Sequence, residues 1–592
     1  MTTPLSRRDI EFLLYEWLKV EELTTHRRFA EHSRETFDAV LELSADMATK
    51  LFAPHNRKAD LNPPRIDDDG AVVIVDDVHT ALREFSRAGL IAGTFDEELG
   101  GMQLPTTIYR AAMAWFHAAN PSTTWYPFLT TANANLLVSH GTAEQIDTWV
   151  RPMLEGRFLG TMCLSEPQAG SSLADITTKA RVTPDGTYRI TGTKMWISGG
   201  EHQLSDNIVH LVLAKAPGGG PGVKGLSLFI VPKFLIDGTR NDVALVGLNH
   251  KMGNRGTTNT LLNFGDGTHP VGDGSGAVGY LVGDEHHGLN YMFHMMNEAR
   301  IGVGLAAAAI GYAGYSASLD YARVRTQGRS VGNKDSAAAP VALIEHADVK
   351  RMLLAQKCYV EGAMALELYC ASLVDLQHSD APEVRADAHL LLEVLTPIAK
   401  SWPSQWCLEA NDLAIQVLGG YGYTQDFDVE QCYRDNRLNP IHEGTHGIQG
   451  LDLLGRKVVM NDGAGLRLLA DRIGKTVDRA VELPGYAADL AIDLRHALDR
   501  LLEVTTKLWA AEDVAVTLAH SSIYLEAAGH TVMAWIWLEQ LIAVGEGSED
   551  FHAGKRAAAQ FFYRFELPKT GPQFDLLESL DRSTVELQPN WL

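Results

Sequence analysis

The spacing of hydrophobic residues changes character within the first half of the chain. Over residues 9–155, apolar positions recur as on one face of a helix. Over 156–284, the pattern switches to short β-branched and alternating runs, such as 208–213 and 226–231, separated by turns rich in glycine and proline. Short strands with regular turn signals are typical of an antiparallel sheet. The pattern therefore predicts a helical N-terminal region followed by an antiparallel β-domain.

Helical spacing returns after the predicted β-domain and continues to the end of the chain. Residues 288–459 are rich in alanine and leucine, and in the last part Leu494, Leu498, Leu501 and Leu502 fall on one helical stripe. This order of helices, sheet and further helices predicts an α+β fold. We expect an N-terminal helical domain at 1–155, a middle antiparallel β-domain at 156–285, a C-terminal helical bundle at 286–459, and an additional helical C-terminal extension at 460–592.

Composition and charge narrow the functional classes. The chain has 592 residues, of which 45% are hydrophobic and 21% are charged, so a disordered chain is excluded. A chain of this length is expected to form several structural units and to bury a large core without disulfides or metals. The formal net charge is −23. This acidic balance argues against nucleic-acid binding, because phosphate contacts need basic side chains.

Cysteine usage and apolar segments bear on the compartment. The 5 cysteines include no C-x-x-C pair, which fits a reducing environment and excludes a zinc ribbon or a thioredoxin-type site. Charged residues near the N-terminus leave no apolar core for a signal peptide. The most apolar late stretch, 532–544, is interrupted by Glu539 and Gln540 and is too short to span a bilayer. We therefore expect a cytoplasmic protein without a membrane span.

Two glycine runs match a dinucleotide-binding motif without its structural context. The G-x-G-x-x-G pattern occurs at Gly220, Gly222 and Gly225, and again at Gly274, Gly276 and Gly279. A dinucleotide site needs these glycines between a strand and a helix, so that the pyrophosphate meets the helix N-terminus. Both runs lead into strand-like sequence instead. We expect them to form loops.

The segment 442–446 reads HEGTH and matches the H-E-x-x-H motif of zinc hydrolases. Zinc binding needs both histidines on one helical turn, but Gly444 weakens a helix there by about 1 kcal/mol relative to alanine. Asn439-Pro440 just before it predicts a loop, and the next helix is expected to begin at Thr445. We therefore expect no zinc site.

Four separated segments carry a more specific signal. They read MCLSEPQAGS at 162–171, GTKMWISGG at 192–200, QVLGGYGY at 416–423, and YRD at 433–435 followed by IHEGTHGIQ at 441–449. In this order and spacing they resemble the acyl-CoA dehydrogenase family, over about residues 40–456. The C-terminal extension is similar to that of the longer bacterial members, the group that contains 3-methylmercaptopropionyl-CoA dehydrogenase.

The resemblance implies FAD as the cofactor and assigns residues to it. Those matching the contacts to the flavin ring and ribityl chain are Met162, Leu164, Ser165, Gly170, Ser171, Trp196 and Ser198. Arg325 and Gln327 match the positions that bind the pyrophosphate, where a planar, always-charged guanidinium is well suited. Gln416, Gly419 and Gly420 match the segment that reaches the FAD of a neighbouring subunit. Thr445 and Gly447 match positions at the adenine-pyrophosphate side of the cofactor.

The resemblance also implies a catalytic base and substrate contacts. Glu443 matches the carboxylate that removes the proton α to the thioester, and Ser171, Asn297, Arg300 and Gly444 match substrate-binding positions. A second family solution places the base just before the Arg300 position, where this chain has Ala299, so Glu443 is favoured. His442, His446, Ser172 and the segment 325–329 depart from the usual family pattern, which bears on acyl specificity and on the tuning of the Glu443 pKa.

The implied function is FAD-dependent α,β-dehydrogenation of an acyl-CoA to the trans-2-enoyl-CoA. Electron-transfer flavoprotein is the implied acceptor, and a homodimer the implied assembly. One alternative is an acyl-CoA oxidase, which shares the fold and the base but reacts with O2. Another is a DNA-associated flavoprotein of the same fold, which should carry a basic C-terminal surface; the acidic residues in 546–581 disfavour it.

Overall fold

The computed structural model describes residues 4–332, 335, 337–483 and 485–592. Most of the chain is helical, and one large sheet lies in its middle part. The α-helices are α1 (Arg7–Glu11), α2 (Arg34–Met47), α3 (Ala53–Leu61), α4 (Asp76–Arg87), α5 (Thr106–Ala119), α6 (Pro121–His140), α7 (Ala143–Gln145), α8 (Arg151–Leu154), α9 (Gly288–Val324), α10 (Ala347–Leu376), α11 (Pro382–Leu418), α12 (Val429–Asn436), α13 (His446–Asp452), α14 (Met460–Val481), α15 (Ala487–Ala510), α16 (Val514–Ala519), α17 (Ser521–Val544), α18 (Asp550–Phe561), α19 (Thr570–Glu578) and α20 (Ser583–Glu586).

The strands are β1 (Arg65–Ile66), β2 (Val72–Val73), β3 (Phe158–Cys163), β4 (Lys179–Val182), β5 (Tyr188–Ser198), β6 (Asn207–Lys215), β7 (Leu226–Pro232), β8 (Val243–Leu248), β9 (Asn259–Phe264) and β10 (Ala277–Val282). The chain divides into two compact units. The first comprises Met1–Ala39, Pro105–Ala118 and Arg300–Leu592, and the second comprises Val40–Leu104 and Ala119–Ala299.

The second unit contains an eight-stranded sheet. The strand order is β10-β7-β6-β4-β5-β9-β8, with β3 beside β6 and a further pairing of β10 with β5. The sheet is antiparallel, as predicted, except that β3 runs parallel to β6 and β4 meets β6 in parallel at one residue pair. Parallel partners need a long connection, and the hairpin of β4 and β5 provides it between β3 and β6. Strands β6 and β7 are buried almost throughout and form the centre of this core.

The first glycine run lies in a loop of this sheet, as expected, whereas the second passes from a loop into strand β10, where Gly279 pairs with Tyr188 of β5. Gly220, Gly222 and Gly225 lie between β6 and β7, which pair as an antiparallel hairpin. Gly274, Gly276 and Gly279 lie at the entry to β10, which pairs with β5 and β7. Gly222–Gly225 form a single 3-10 turn, and neither run opens an α-helix, so the strand–glycine loop–α-helix geometry of a dinucleotide site is missing.

The first unit is built from long helices. Leu494, Leu498 and Leu501 are buried on α15, which confirms the predicted stripe, and Leu502 is half-buried. Lys555 on α18 is fully buried and forms ion pairs with Asp9 of α1 and Glu361 of α10. Removing one member of such a buried pair costs about 3–5 kcal/mol, so these charges fix the extension to the rest of the first unit. The α+β fold, with helices before and after a β-domain, is confirmed.

Helix α9 is long and apolar. By length and composition it is the one helix in the described part of the chain that could cross a membrane, and 83% of its most apolar window is buried inside the protein. Such burial is typical of a core helix, which is hydrophobic on all sides.

Candidate active site

A buried ion pair fixes the loop that contains most of the predicted flavin-ring residues. Lys194 Nζ, on β5, donates to the Leu164 carbonyl oxygen at 2.9 Å and to Glu166 Oε1 at 3.0 Å. The Met195 N–H donates to the Ser165 carbonyl oxygen at 3.0 Å. Because both charged side chains are buried, the loop from 164 onward is tied to β5 at consecutive residues.

Glu166 is saturated with hydrogen-bond donors. Thr177 and Thr178 each donate a backbone N–H and a hydroxyl to its carboxylate, and the Gln168 amide donates at 2.8 Å. Burial works to raise the pKa of Glu166, but Lys194 and these donors bring it down to about 2. The carboxylate therefore stays charged and structural, because its lone pairs are occupied.

Trp196 lies on an irregularity of β5. The pairing of β5 with β9 shifts register between Lys194 and Ile197, and Trp196 in between has φ +66°. A bulky residue in the left-handed region costs about 1–3 kcal/mol and persists where surrounding structure enforces it. The bulge turns the indole outward, so that 58% of the residue is exposed. A flat, exposed indole is suited to covering a planar heterocycle.

The other predicted flavin residues of the second unit lie on β3, in the loop after it, and at the end of β5. Met162 lies half-buried on β3, Leu164 is buried, Ser165 is half-buried, and Gly170 and Ser171 are exposed. A Cβ added at Gly170 would meet nothing within 4 Å, so this loop segment is open. Ser198 Oγ accepts a hydrogen bond from Asn259 Nδ2 at 3.3 Å. Hydroxyls, an open backbone segment and an exposed indole fit the carbonyl-rich edge of a flavin.

Helix α9 carries the predicted substrate residues Asn297 and Arg300. Asn297 is half-buried. Arg300 is 3% exposed, and its Nη1 forms an ion pair with Asp452 Oδ2 at 2.9 Å. Ala299 is buried and has no carboxylate. The residue at the alternative position for the base therefore cannot accept a proton, as the sequence indicated.

The structure brings together the predicted pyrophosphate arginine and the glycine segment after α11. The Arg325 guanidinium lies 5.6 Å from the centre of the Tyr421 ring. Tyr421 directly follows the segment that contains Gln416, Gly419 and Gly420, and these three residues are exposed. Gly419 has φ +60° and donates its N–H to the Gln416 carbonyl oxygen, which ends α11. Gln327 lies two residues beyond Arg325, and its N–H donates to the Val341 carbonyl oxygen. This part of the first unit therefore presents an exposed cation beside accessible backbone.

Glu443 lies in a tight turn between α12 and α13. It has φ +54°, and Gly444 after it has φ +92°. Gln449 Nε2 donates to the Glu443 carbonyl oxygen at 2.9 Å, and a Cβ at Gly444 would approach that same nitrogen to 2.6 Å. Thr445 caps α13, its hydroxyl accepting from the Ile448 N–H. The predicted helix start at Thr445 is thus confirmed within one residue; Thr445 is exposed and Gly447 half-buried.

The electrostatics of this turn involve a residue that the sequence analysis did not identify. Lys400 on α11 is fully buried, and its Nζ donates to the Gly444 carbonyl oxygen at 2.6 Å. Burial raises the pKa of the Glu443 carboxyl above its usual value, while Arg300 and Lys400 work to lower it. Burial lowers the pKa of Lys400 to about 7, against the attraction of Glu443. A single charged residue, Lys400, within the otherwise uncharged run 394–407 was the sequence signal for this site.

The H-E-x-x-H residues do not form a zinc site. His442 lies in the turn and His446 begins α13, so the two do not share one helical turn. Burial lowers the pKa of His442 to about 3 and that of His446 to about 4, so both are neutral at pH 7. His442 Nε2 lies 3.0 Å from Asn439 Oδ1. No cluster of three or more histidine, cysteine, aspartate or glutamate side chains suited to a metal occurs among the residues that the structure describes.

Comparison with protein families and known proteins agrees with this geometry. Family models for the N-terminal, middle and C-terminal domains of acyl-CoA dehydrogenase match residues 35–157, 161–266 and 286–458, and an acetyl-CoA dehydrogenase C-terminal-like model matches 469–588. The chain is 36% identical to 3-methylmercaptopropionyl-CoA dehydrogenase of Ruegeria pomeroyi, over 95% of each chain. It is 33% identical to the broad-specificity linear acyl-CoA dehydrogenase FadE5 of Mycobacterium tuberculosis, over 98% of each.

A solved structure shares the fold over nearly the whole length. The acyl-CoA dehydrogenase from Bacillus anthracis complexed with FAD superposes with a TM-score of 0.73 at 18% identity, covering 98% of this chain and 95% of that one. The family assignment follows from three consecutive domain matches, a match to a related C-terminal domain, and full-length relatives above 30% identity. The chain belongs to the acyl-CoA dehydrogenase family of FAD-dependent oxidoreductases, among its members with an additional C-terminal domain.

Proposed function

We propose that this enzyme removes one hydrogen each from the α and β carbons of an acyl-CoA thioester, giving the trans-2-enoyl-CoA. The observation that carries the proposal is the state of Glu443. None of the described residues donates a hydrogen bond to its carboxylate. Glu443 is half-buried, and its backbone has a left-handed conformation. A carboxylate whose lone pairs are unoccupied and whose pKa is raised by burial is suited to accept a weakly acidic proton.

The same turn offers a donor for the thioester. The backbone N–H of Glu443 donates to no described residue, while Gln449 and Lys400 donate to the carbonyl oxygens of Glu443 and Gly444. A fixed backbone N–H of this kind stabilises the negative charge that develops on a thioester oxygen when the α proton leaves. The Glu443 carboxylate would thus accept the proton from the α carbon, while the Glu443 backbone N–H would donate to the oxygen of the neighbouring thioester carbonyl.

The remaining residues hold cofactor and substrate. In our proposal, Ser165, Ser171, Trp196 and Ser198 hold the flavin ring, Arg325 holds the pyrophosphate, and Arg300 and Asn297 contact the CoA ester. When bound, FAD supplies the acceptor for the hydride of the β carbon. The chain orients both groups, and the buried side chains of Lys400 and Arg300 limit the access of water to the proton transfer.

The proposal is tested by anaerobic titration of the purified yellow protein with a panel of acyl-CoAs. The panel contains straight-chain esters of increasing length and 3-methylmercaptopropionyl-CoA, the substrate named for the relative from Ruegeria pomeroyi. We expect stoichiometric loss of the flavin absorbance near equivalence with the preferred ester. Full retention of the oxidised spectrum with every ester would contradict the proposed reaction.

We further propose that electrons leave to electron-transfer flavoprotein rather than to O2. The sequence contains no cysteine cluster for an iron–sulfur relay and no nicotinamide site in its glycine runs, so an external acceptor is required. Turnover with electron-transfer flavoprotein or an artificial dye is compared with turnover in air. Hydrogen peroxide formed at the rate of substrate loss would identify an oxidase.

A homodimer is the proposed assembly. It is supported by the exposed residues Gln416, Gly419 and Gly420, which lie in a segment that resembles the one that reaches the FAD of a neighbouring subunit. Light scattering of the FAD-loaded protein is expected to give twice the mass of the 64.8 kDa chain. A fully active monomer would contradict this assembly.

A further inference from the structure

Lys400 occupies a position where α11 departs from regular hydrogen bonding. Pro397 and Pro403 lie on either side of it within the helix. Proline has no N–H, so Pro403 leaves the Ala399 carbonyl without its helical partner. That carbonyl oxygen faces α9 at Gly304, where an added Cβ would lie 2.2 Å from it. The two helices are therefore close just beside Lys400 and one turn after Arg300.

The ammonium group of Lys400 is directed at the turn that contains Glu443. It is fully buried, and its hydrogen bond goes to the Gly444 carbonyl oxygen. Gln449 holds the preceding carbonyl, that of Glu443, from the other side. Two side chains thus fix two successive peptide groups whose residues both have positive φ. Such strained backbone persists only where neighbouring groups determine it.

Two cations, Arg300 and Lys400, act on the Glu443 carboxylate. Arg300 approaches from α9, but its charge is shared with Asp452 at 2.9 Å. His442 and His446 are neutral, because burial depresses their pKa values. Lys400 forms no ion pair with any carboxylate among the described residues. Glu443 is the acid whose negative charge raises the pKa of Lys400 against the effect of burial. A buried cation of this kind favours the charged form of the nearest acid.

We propose that Lys400 is a positioning residue for the base: it fixes the peptide between Gly444 and Thr445 through the Gly444 carbonyl oxygen, and in its charged form it favours the ionised form of the Glu443 carboxylate. This inference rests on the proposed function, because it gives Lys400 a task only if Glu443 removes a proton. It differs from a structural role in a measurable way. Loss of packing alone lowers the rate equally at every pH, whereas loss of the charge moves the pKa of Glu443 upward.

The experiment compares the pH profile of anaerobic flavin reduction in four variants with that of the wild-type enzyme. Lys400→Met removes the donor and the charge, Lys400→Gln keeps a donor, and Lys400→Arg keeps the charge. Lys457→Met is the matched control, since Lys457 is also buried and forms an ion pair with Glu393 outside the turn. FAD content and thermal unfolding are measured on each.

In Lys400→Met, we expect the acid limb of the pH profile of flavin reduction to move to higher pH by about one unit. The rate of flavin reduction near pH 7 should be lower by about tenfold. The limb of Lys400→Gln should move similarly, and those of Lys400→Arg and Lys457→Met should stay at the wild-type position. A limb that does not move in Lys400→Met or Lys400→Gln overturns the inference while leaving the proposed function intact.

Two other outcomes are also decisive. Loss of bound FAD in both Lys400→Met and Lys400→Gln, with Lys457→Met intact, would assign Lys400 a structural role and overturn the inference. A wild-type enzyme that no acyl-CoA reduces would overturn the proposed function and this inference together.

Discussion

Each unit of the chain contains a buried lysine beside a glutamate: Lys194 with Glu166 in the second unit, and Lys400 with Glu443 in the first. Lys194 touches its glutamate directly at 3.0 Å. Lys400 instead donates to the Gly444 backbone carbonyl oxygen, and it acts on the Glu443 carboxylate through its charge without a hydrogen bond. The two pairs use the same side chains, and their hydrogen bonds differ.

The hydrogen bonds decide what each carboxylate can do. Glu166 receives donors from Lys194, Gln168, Thr177 and Thr178, and its pKa falls to about 2 despite burial. Glu443 receives none from the described residues, and burial raises its pKa. A saturated carboxylate stabilises structure, because protonating it would break several bonds. An unsaturated one can exchange a proton, at the expense of local stability.

The largest expected effect comes from converting the reactive carboxylate to an amide. Glu443→Gln preserves the shape of the side chain but cannot accept the α proton, so turnover should fall by about 10²–10⁴-fold. FAD content and unfolding temperature should stay near wild type. Glu512→Gln, an exposed position in the same unit, is the control. Near-normal turnover of Glu443→Gln would remove this residue from the mechanism.

The second largest effect should come from the structural pair. Lys194→Met leaves Glu166 buried without its cation, which costs about 3–5 kcal/mol. The 164–171 loop would lose its attachment at Leu164, so we expect lower yield, a lower unfolding temperature and loss of FAD. Lys179→Met, exposed on the adjacent strand β4, should do none of these. A stable yellow Lys194→Met protein would show that the loop is fixed by other contacts.

Sequence motifs predicted the residues that belong to them better than the side chains that support them from other helices. Trp196 and Glu443 were found because each belongs to a continuous segment with a recognisable pattern. Lys400 and Gln449 were missed, because they reach the turn from α11 and α13 and only the fold shows which backbone atoms they meet.

The β-domain shows the same limit. Alternating runs predicted its strands, but the parallel pairing of β3 with β6 joins segments separated by a hairpin, and no local pattern encodes a partner's direction. The bulge at Trp196 likewise depends on β9, which pairs with β5 across it.

A smaller effect is expected from Gly444→Ala. The added Cβ would meet Gln449 Nε2 at 2.6 Å on a backbone with φ +92°, so the turn must shift and about 1–3 kcal/mol of strain is introduced. We expect about tenfold slower flavin reduction with FAD retained. Gly545→Ala has a positive φ too but nothing closer than 4.0 Å, and should leave the rate unchanged. Equal rates in both variants would indicate that the turn tolerates displacement.

The smallest effect concerns pH. The folded-state pKa of Glu166 is lowered to about 2, so its contribution to stability is fully present above the unfolded value of about 4.3 and is lost as pH falls toward 2. The difference in unfolding midpoint between wild type and Glu166→Gln should be constant from pH 7 to about 5 and should shrink below that. A constant difference down to pH 3 would mean that Glu166 is not charged in the folded protein.

The most direct test of Glu443 as the base measures proton removal alone. The enzyme is incubated anaerobically in D2O with an acyl-CoA analogue that has sulfur in place of the β carbon and so has no β hydrogen to transfer, and deuterium at the α carbon is measured by mass spectrometry. Wild type and Glu512→Gln should exchange the α hydrogen at matching rates, and Glu443→Gln should not exceed the uncatalysed rate. Exchange by Glu443→Gln at the wild-type rate would contradict the account, since another group would then be removing the proton.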